Sequence, residues 1–196
     1  MARVDRGTRV FWMVVVALLV ASTFFAVRAE SVRRSVQRAA AVDVQTGDVL
    51  SFAQVQDGDT VVLADAAGSH VTVRVVGIKS FDASSEKDAA AVHAREAIAA
   101  VERALRQRPI RVMLASPPKD KHGRALASLY VDDVDVALQL VRDGRVMAYT
   151  QYPFPAMADY LRAQAEARAE KRGFWADPVA SERAHALFEQ WKKGAP

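Results

Sequence analysis

The sequence predicts an α+β fold, a five-stranded Greek-key β-barrel of the OB type with helices packed on it, behind an N-terminal apolar segment. Three observations predict it. β-rich runs cluster in residues 47–78 and again in 110–131, a helix-periodic stretch separates them, and further helix-periodic stretches close the chain. The resulting order, three strands, helix, two strands, helix, helix, does not alternate as a parallel α/β sheet would.

Residues 1–9 carry Arg3, Arg6 and Arg9 ahead of the uncharged run VFWMVVVALLVASTFFAV at 10–27. As a helix that run is about 27 Å long, close to the roughly 30 Å of a bilayer's hydrocarbon core. The preceding arginines predict a cytoplasmic N-terminus for 1–9 and a transmembrane anchor for 10–27. The alternative is a cleaved signal peptide ending near Val27-Arg28-Ala29, which would make the protein secreted. Both readings put the C-terminal domain outside the cytoplasm, in a periplasmic or extracellular space.

Residues 28–46, basic at Arg33, Arg34 and Arg38, read as a linker. The barrel domain, 47–177, opens with three strands broken at Asp57-Gly58 and at Ala64 to Gly68. Ala91, Ile98, Val101 and Leu105 then recur at helical spacing until Pro109 ends the segment. Two strands follow, one from Ile110 and one ending at Val131, with a turn at Asp132 and Asp133. The helix VDVALQLVRDG closes at Gly144, and ADYLRAQAEARAEKRGFW closes at Gly173. Residues 178–196 make a C-terminal amphipathic helix with Ala184, Leu187, Phe188 and Trp191 on one face, expected to pack on the barrel.

The net charge of +4 is unevenly spread. Residues 1–29 hold four arginines and one aspartate, a net of +3, which leaves +1 for the rest. Bulk charge therefore gives no argument for nucleic-acid binding by the domain; only a local basic cluster could. The absence of cysteine excludes disulfides, thiol nucleophiles and thiolate metal sites.

No GxSxG, Walker, GxGxxG or HExxH pattern occurs, and the four histidines, 70, 93, 122 and 185, are too scattered for a metal cluster. What remains is a set of charged residues at strand ends: Asp57, Asp59, Arg74, Lys79, Asp82, Lys121, His122 and Arg124. Arg74 interrupts the apolar alternation of Val73, Val75 and Val76, so its guanidinium must face a cleft or a carboxylate. Two readings stay open on spacing alone. Arg74 forms a structural salt bridge, or it converges with Arg124 on a phosphate through charge-assisted hydrogen bonds.

The ordered set DGDT, VRVVGI followed by KSFD, DKHGRALASLYV, ALQLVRDG and GFW resembles the staphylococcal nuclease, or thermonuclease, family over roughly 47–177. The resemblance implies an OB-fold barrel that hydrolyses phosphodiesters of DNA and RNA with Ca²⁺. It implies that Asp59 is a metal ligand and that Arg74 and Arg124 bind the phosphate. Asp82 stands where the family has the glutamate that orients or deprotonates water. Lys79 stands where the family has its second metal-ligating aspartate, Ser80 replaces a threonine, and Phe81 replaces a proline. Tyr149 and Tyr152 lie near the family's base-stacking tyrosines, and stacking or rim packing both suit them. Lys121 and His122 could bring positive charge to the ligand, or belong to a solvated loop.

Lys79 sets the resemblance against itself. A lysine ammonium about 4 Å from a unit cation at an effective dielectric of about 20 repels it by about 4 kcal/mol, and a divalent ion by more. Hard cations also require oxygen ligands. Ca²⁺ is therefore expected to bind weakly or not at all. Three outcomes follow: a metal-independent or differently metallated phosphodiesterase in which Lys79 takes over part of the metal's work, an inactive module that binds nucleic acid or an acidic partner, or a structural pairing of Lys79 with Asp59 or Asp82 with the arginines satisfied internally.

Overall fold

The computed structural model describes residues 44–193, together with positions 12, 15 and 22 of the N-terminal segment, which are helical. The chain divides into two units, 1–40 and 41–196. Apart from those three positions, the anchor expected at 10–27 lies outside the described residues, as does most of the expected linker. Among the described residues no helix is long and apolar enough to cross a membrane.

In the second unit β1 (Val49–Asp57), β2 (Thr60–Ala64) and β3 (His70–Val75) form an antiparallel meander. β4 (Ile78–Lys79) follows, then helix α1 (Ala89–Leu105), capped by the Asp88 carboxylate on the Ala90 N–H. β5 (Ile110–Lys119) and β6 (Ala125–Val131) make a second hairpin, and β7 (Val134–Asp135) extends it. Then come α2 (Val136–Arg142), β8 (Met147–Ala148), α3 (Met157–Ala169), a 3₁₀ turn (Gly173–Ala176) and α4 (Pro178–Lys193).

β1 pairs with both β2 and β5, and β3 pairs in parallel with β6, so β1, β2, β3, β6 and β5 close into a barrel. This is the five-stranded Greek-key architecture that the order of elements predicts. Alternation drives it: on β6, Ala125, Ala127, Leu129 and Val131 point inward and their neighbours do not. The barrel core also takes Val61, Leu63, Val73, Ile110 and Val112, and α1 seats Ala97, Val101 and Leu105 against it. The β5–β6 ladder steps from Leu114↔Ala127 to Lys119↔Ala125, which leaves the β5 residues between them out of register.

Two details depart from the sequence expectation. β4 and β8, two residues each, form a separate ladder with Ile78 opposite Ala148 and Lys79 opposite Met147. They are too short to carry a period of their own. The C-terminal stripe is packed, but on a second small core and not on the barrel: Leu187, Phe188 and Trp191 lie against a cluster of Phe81, Ala90, Ala94, Met147, Ala167, Phe174, Trp175, Ala180 and Ala184. Phe81, in place of a proline, is therefore a core residue, edge-on to Phe174 with ring centroids 5.2 Å apart. The position of that core is set by two glycines. A Cβ on Gly144 would lie 2.1 Å from the Arg172 carbonyl oxygen, and one on Gly173 would lie 2.1 Å from the Gly144 oxygen.

Candidate active site

The β1–β2 turn places the first charged group. Asp57 Oδ1 accepts from the Asp59 N–H at 2.8 Å, an Asx-type turn that DGDT is built to make. Gly58 lets the turn press inward, since a Cβ there would sit 2.6 Å from Ser80 Cβ and 2.9 Å from Ala97 Cβ. The consequence is a buried carboxylate: Asp59 is 1% exposed.

Both oxygens of Asp59 are occupied. Oδ1 accepts from Thr60 Oγ1 at 3.2 Å and lies 3.3 Å from Arg74 Nη1. Oδ2 accepts from the Ser80 N–H at 3.0 Å and lies 3.2 Å from Lys79 Nζ. Burial opposes the charge on Asp59, but Arg74, Lys79 and these hydrogen bonds outweigh it and hold its carboxyl below the ordinary value. Asp57 moves the other way, pushed up by burial and by the neighbouring Asp59 charge.

Arg74 is mostly enclosed, its side chain 13% exposed. Its Nη1 donates to the carbonyls of Asp59 and Val75 at 3.1 and 2.8 Å, and its Nη2 to the carbonyl of Ile78 at 2.7 Å. The guanidinium thus ties the β1–β2 turn to the β3–β4 corner, and of the two readings left open by the sequence the structural one accounts for these contacts.

Arg124 reaches the same rim from the neighbouring strand, because Val73 pairs with Ala125. Its Nε donates to Asp120 Oδ2 at 2.7 Å and its Nη1 to Thr60 Oγ1 at 3.4 Å. Among the described residues its Nη2 has no protein partner, and its side chain is 32% exposed. Thr60 therefore links the two halves, donating to Asp59 and accepting from Arg124. Lys79, Asp59, Thr60, Arg124 and Asp120 form one connected polar network.

Lys79 is 40% exposed, so its ammonium keeps donors toward solvent while one side pairs with Asp59. Asp82 does not join the network. It is exposed, and its Oδ1 accepts from the Ser84 N–H and hydroxyl at 2.8 and 2.6 Å, bonds that lower its carboxyl from the ordinary range. Lys79 thus pairs with Asp59 and not with Asp82.

Tyr149 stands beside the rim. Its N–H donates to the Gly77 carbonyl at 2.8 Å, and its hydroxyl bonds Gln151 Oε1. Burial and the neighbouring Tyr152 push the Tyr149 hydroxyl above its ordinary value, so it ionises less readily, with Arg74 and Asp59 also within electrostatic reach. Tyr152 is exposed, its ring 6.2 Å from that of Tyr149. Lys121 and His122 are exposed at the β5–β6 hairpin tip, where the His122 N–H donates to Asp120 Oδ1, so the structure does not join their side chains to the network.

Three participants carry no role in the sequence reading: Thr60, Asp120 and the backbone N–H of Ser80. Thr60 is the last letter of DGDT, and Asp120 sits four residues before Arg124 in DKHGR. Among the described residues no group of three or more His, Asp or Glu side chains is placed to hold a metal ion.

The closed five-stranded barrel with its packed helices defines an α+β protein of the OB-fold class. The sequence model of the family described as staphylococcal nuclease homologue matches residues 72–177, and the chain belongs to that family. It is 30% identical over 124 residues to an "uncharacterized endonuclease" of Haemophilus influenzae, covering 63% of this chain and 64% of that protein. It is 32% identical over 146 residues to "Protein ParB" of Escherichia coli, covering 69% and 73%. To the thermonuclease of Staphylococcus intermedius it is 26% identical over 126 residues, covering 64% and 74%. The chain thus spans just under two thirds of the Haemophilus protein's length.

Proposed function

We propose that this protein hydrolyses phosphodiester bonds of DNA or RNA outside the cytoplasm, held at a membrane by residues 10–27. The observation that carries the reading is the convergence of Lys79 and Arg124, each with donors open to solvent, on one rim around the buried Asp59. Family membership supports nucleic acid as the substrate, and the endonuclease and thermonuclease names of two relatives support hydrolysis.

The residues present do not fit a calcium ion in the family's geometry. Ca²⁺ takes about 6–8 oxygens at about 2.3–2.6 Å. Asp59 has both oxygens engaged by hydrogen-bond donors and cations, and Lys79 brings an ammonium to within 3.2 Å of Oδ2. In the proposed reaction Arg124 Nη2 and the outward N–H groups of Lys79 donate to the oxygens of the scissile phosphate, stabilising charge that grows at the transition state. Asp59 holds Lys79 in place, and Arg74 holds Asp59. Asp82, ionised at neutral pH, accepts the proton of the attacking water. It is a weak base there, so the reaction relies chiefly on electrostatic stabilisation.

Arg124 is the cleaner probe, because removing Arg74 would also take a donor from each of three carbonyls. Arg124→Ala is expected to lower cleavage of single-stranded DNA by about a hundredfold, the usual loss on removing one such donor. Wild-type activity should survive chelator. No cleavage by the wild type across Ca²⁺, Mg²⁺, Mn²⁺ and chelator refutes the reading. Alkaline extraction of membranes tests the anchor: the intact chain should stay in the pellet.

A second reading has one observation in its favour. The charges of Asp59 and Arg74 are satisfied within the protein, as in a binding module that performs no chemistry. Salt-dependent binding of single-stranded DNA without turnover, weakened by Arg124→Ala, would select it.

A further inference from the structure

Helix α4 begins at Pro178, just after the family match ends at Asp177. It nevertheless reaches two segments named above, the Asp82 loop and Tyr149. Near its start, Arg183 Nε and Nη2 both donate to the Glu86 carboxylate, at 2.9–3.2 Å. Glu86 belongs to the loop that carries Asp82: the Ser85 and Glu86 N–H groups donate to the Asp82 carbonyl at 3.3 and 3.0 Å. Phe81 anchors the same loop from the other side, through the core that α4 covers.

Near its end, α4 meets the tyrosine rim. The Trp191 ring stands edge-on to Tyr149 with centroids 4.9 Å apart. The Trp191 carbonyl accepts from Gln151 Nε2 at 3.0 Å, and the other end of that amide accepts from the Tyr149 hydroxyl. Tyr149 in turn directly follows β8, whose Met147 lies opposite Lys79. One helix therefore contacts both the loop of the proposed base, through Glu86, and the Tyr149 ring beside the charged rim. The electrostatic reach between Tyr149 and both Arg74 and Asp59 fits that placement.

We propose that α4 is a strap that positions two elements of the site independently: Arg183, through Glu86, fixes the Asp82 loop, and Trp191 fixes the Tyr149 ring against which the base next to the scissile phosphate stacks. Arg183 and Trp191 are positioning residues. The kinetic part of this inference rests on the nuclease reading; the mechanical part does not.

The split between the two contacts gives the test. On the full chain in detergent, with a fluorescent single-stranded oligonucleotide as probe, Arg183→Gln is expected to lower kcat about tenfold with KM held, because it loosens a reacting group and no binding contact. Trp191→Ala should raise KM about tenfold with kcat held, the effect of a weakened stacking face, and Trp191→Phe should recover most of it. Glu182→Gln, exposed on the same helix, is the control and should match wild type.

Hydrogen exchange read on the same variants separates the two claims. Arg183→Gln should speed exchange in residues 80–88 only, and Trp191→Ala in 147–152 only. If the wild type neither binds nor cleaves the probe, the nuclease reading fails, and the exchange pattern alone decides the strap. Exchange that is unchanged, or that rises throughout the domain in both variants, overturns it. So do kcat and KM values that move together in both variants.

Discussion

Replacing Lys79 with aspartate should convert a calcium-indifferent protein into a calcium-responsive one. At 3.2 Å the Lys79–Asp59 attraction is about 5 kcal/mol by Coulomb's law at an effective dielectric of about 20. Lys79 is 40% exposed, so solvent screening and side-chain entropy reduce the net contribution to about 1–2 kcal/mol. Lys79→Met forfeits that amount. Lys79→Asp forfeits it and adds a like charge beside a buried carboxylate, a total loss of about 2–4 kcal/mol. Calcium at about a hundredfold above its Kd would restore about 2.7 kcal/mol to the aspartate variant. The assay is urea denaturation of wild type, Lys79→Met and Lys79→Asp, each with chelator and with excess calcium. Wild type and the methionine variant should not respond to the ion. An equal calcium response in wild type and Lys79→Asp would refute the argument, as would a methionine variant more stable than wild type.

Two further outcomes follow from the same turn. Gly58→Ala forces a Cβ into Ser80 and Ala97 and should cost about 1–3 kcal/mol, with loss of the Ser80 N–H bond to Asp59 visible as a shifted amide resonance; a variant as stable as wild type contradicts the close approach. Acid should destabilise the domain through Asp59, whose folded-state carboxyl lies below its ordinary value: its contribution is present above that ordinary value and fades as pH falls through the folded one. Asp120 and Asp82 act in the same direction, whereas Asp57, raised, gains stability on acidification and offsets part of the loss. Denaturation midpoints measured from neutral pH downward should fall below about pH 4, and in Lys79→Met the fall should begin at higher pH; a midpoint flat to the acid limit contradicts it.

The barrel is legible in the sequence because its strands are long enough to alternate and its turns are chemically marked. DG at 57–58 and the charged hairpin at 120–124 each sit between apolar runs, and the structure turns at both. β4 and β8 are not legible, since two residues have no period, yet they set Lys79 opposite Met147 and Tyr149 against Gly77. The second core escapes for another reason. Phe81, Phe174 and Ala184 meet across about half the chain, and no local pattern announces a contact of that span. At the site, the charged residues are visible as letters, but their saturation is not. That Arg74 spends its donors on the carbonyls of Asp59, Val75 and Ile78 depends on how the β3–β4 corner folds back, which residue type alone does not encode.

The out-of-register stretch of β5 bears on how an open stretch of the barrel is guarded. A strand without a ladder partner ordinarily offers its N–H and C=O groups to a neighbouring molecule. Here that stretch contains Pro117 and Pro118, which have no N–H to offer, and it ends on exposed Lys119. The arm that leads to Arg124 is thus a poor template for another β-strand, which keeps it clear of edge-to-edge aggregation.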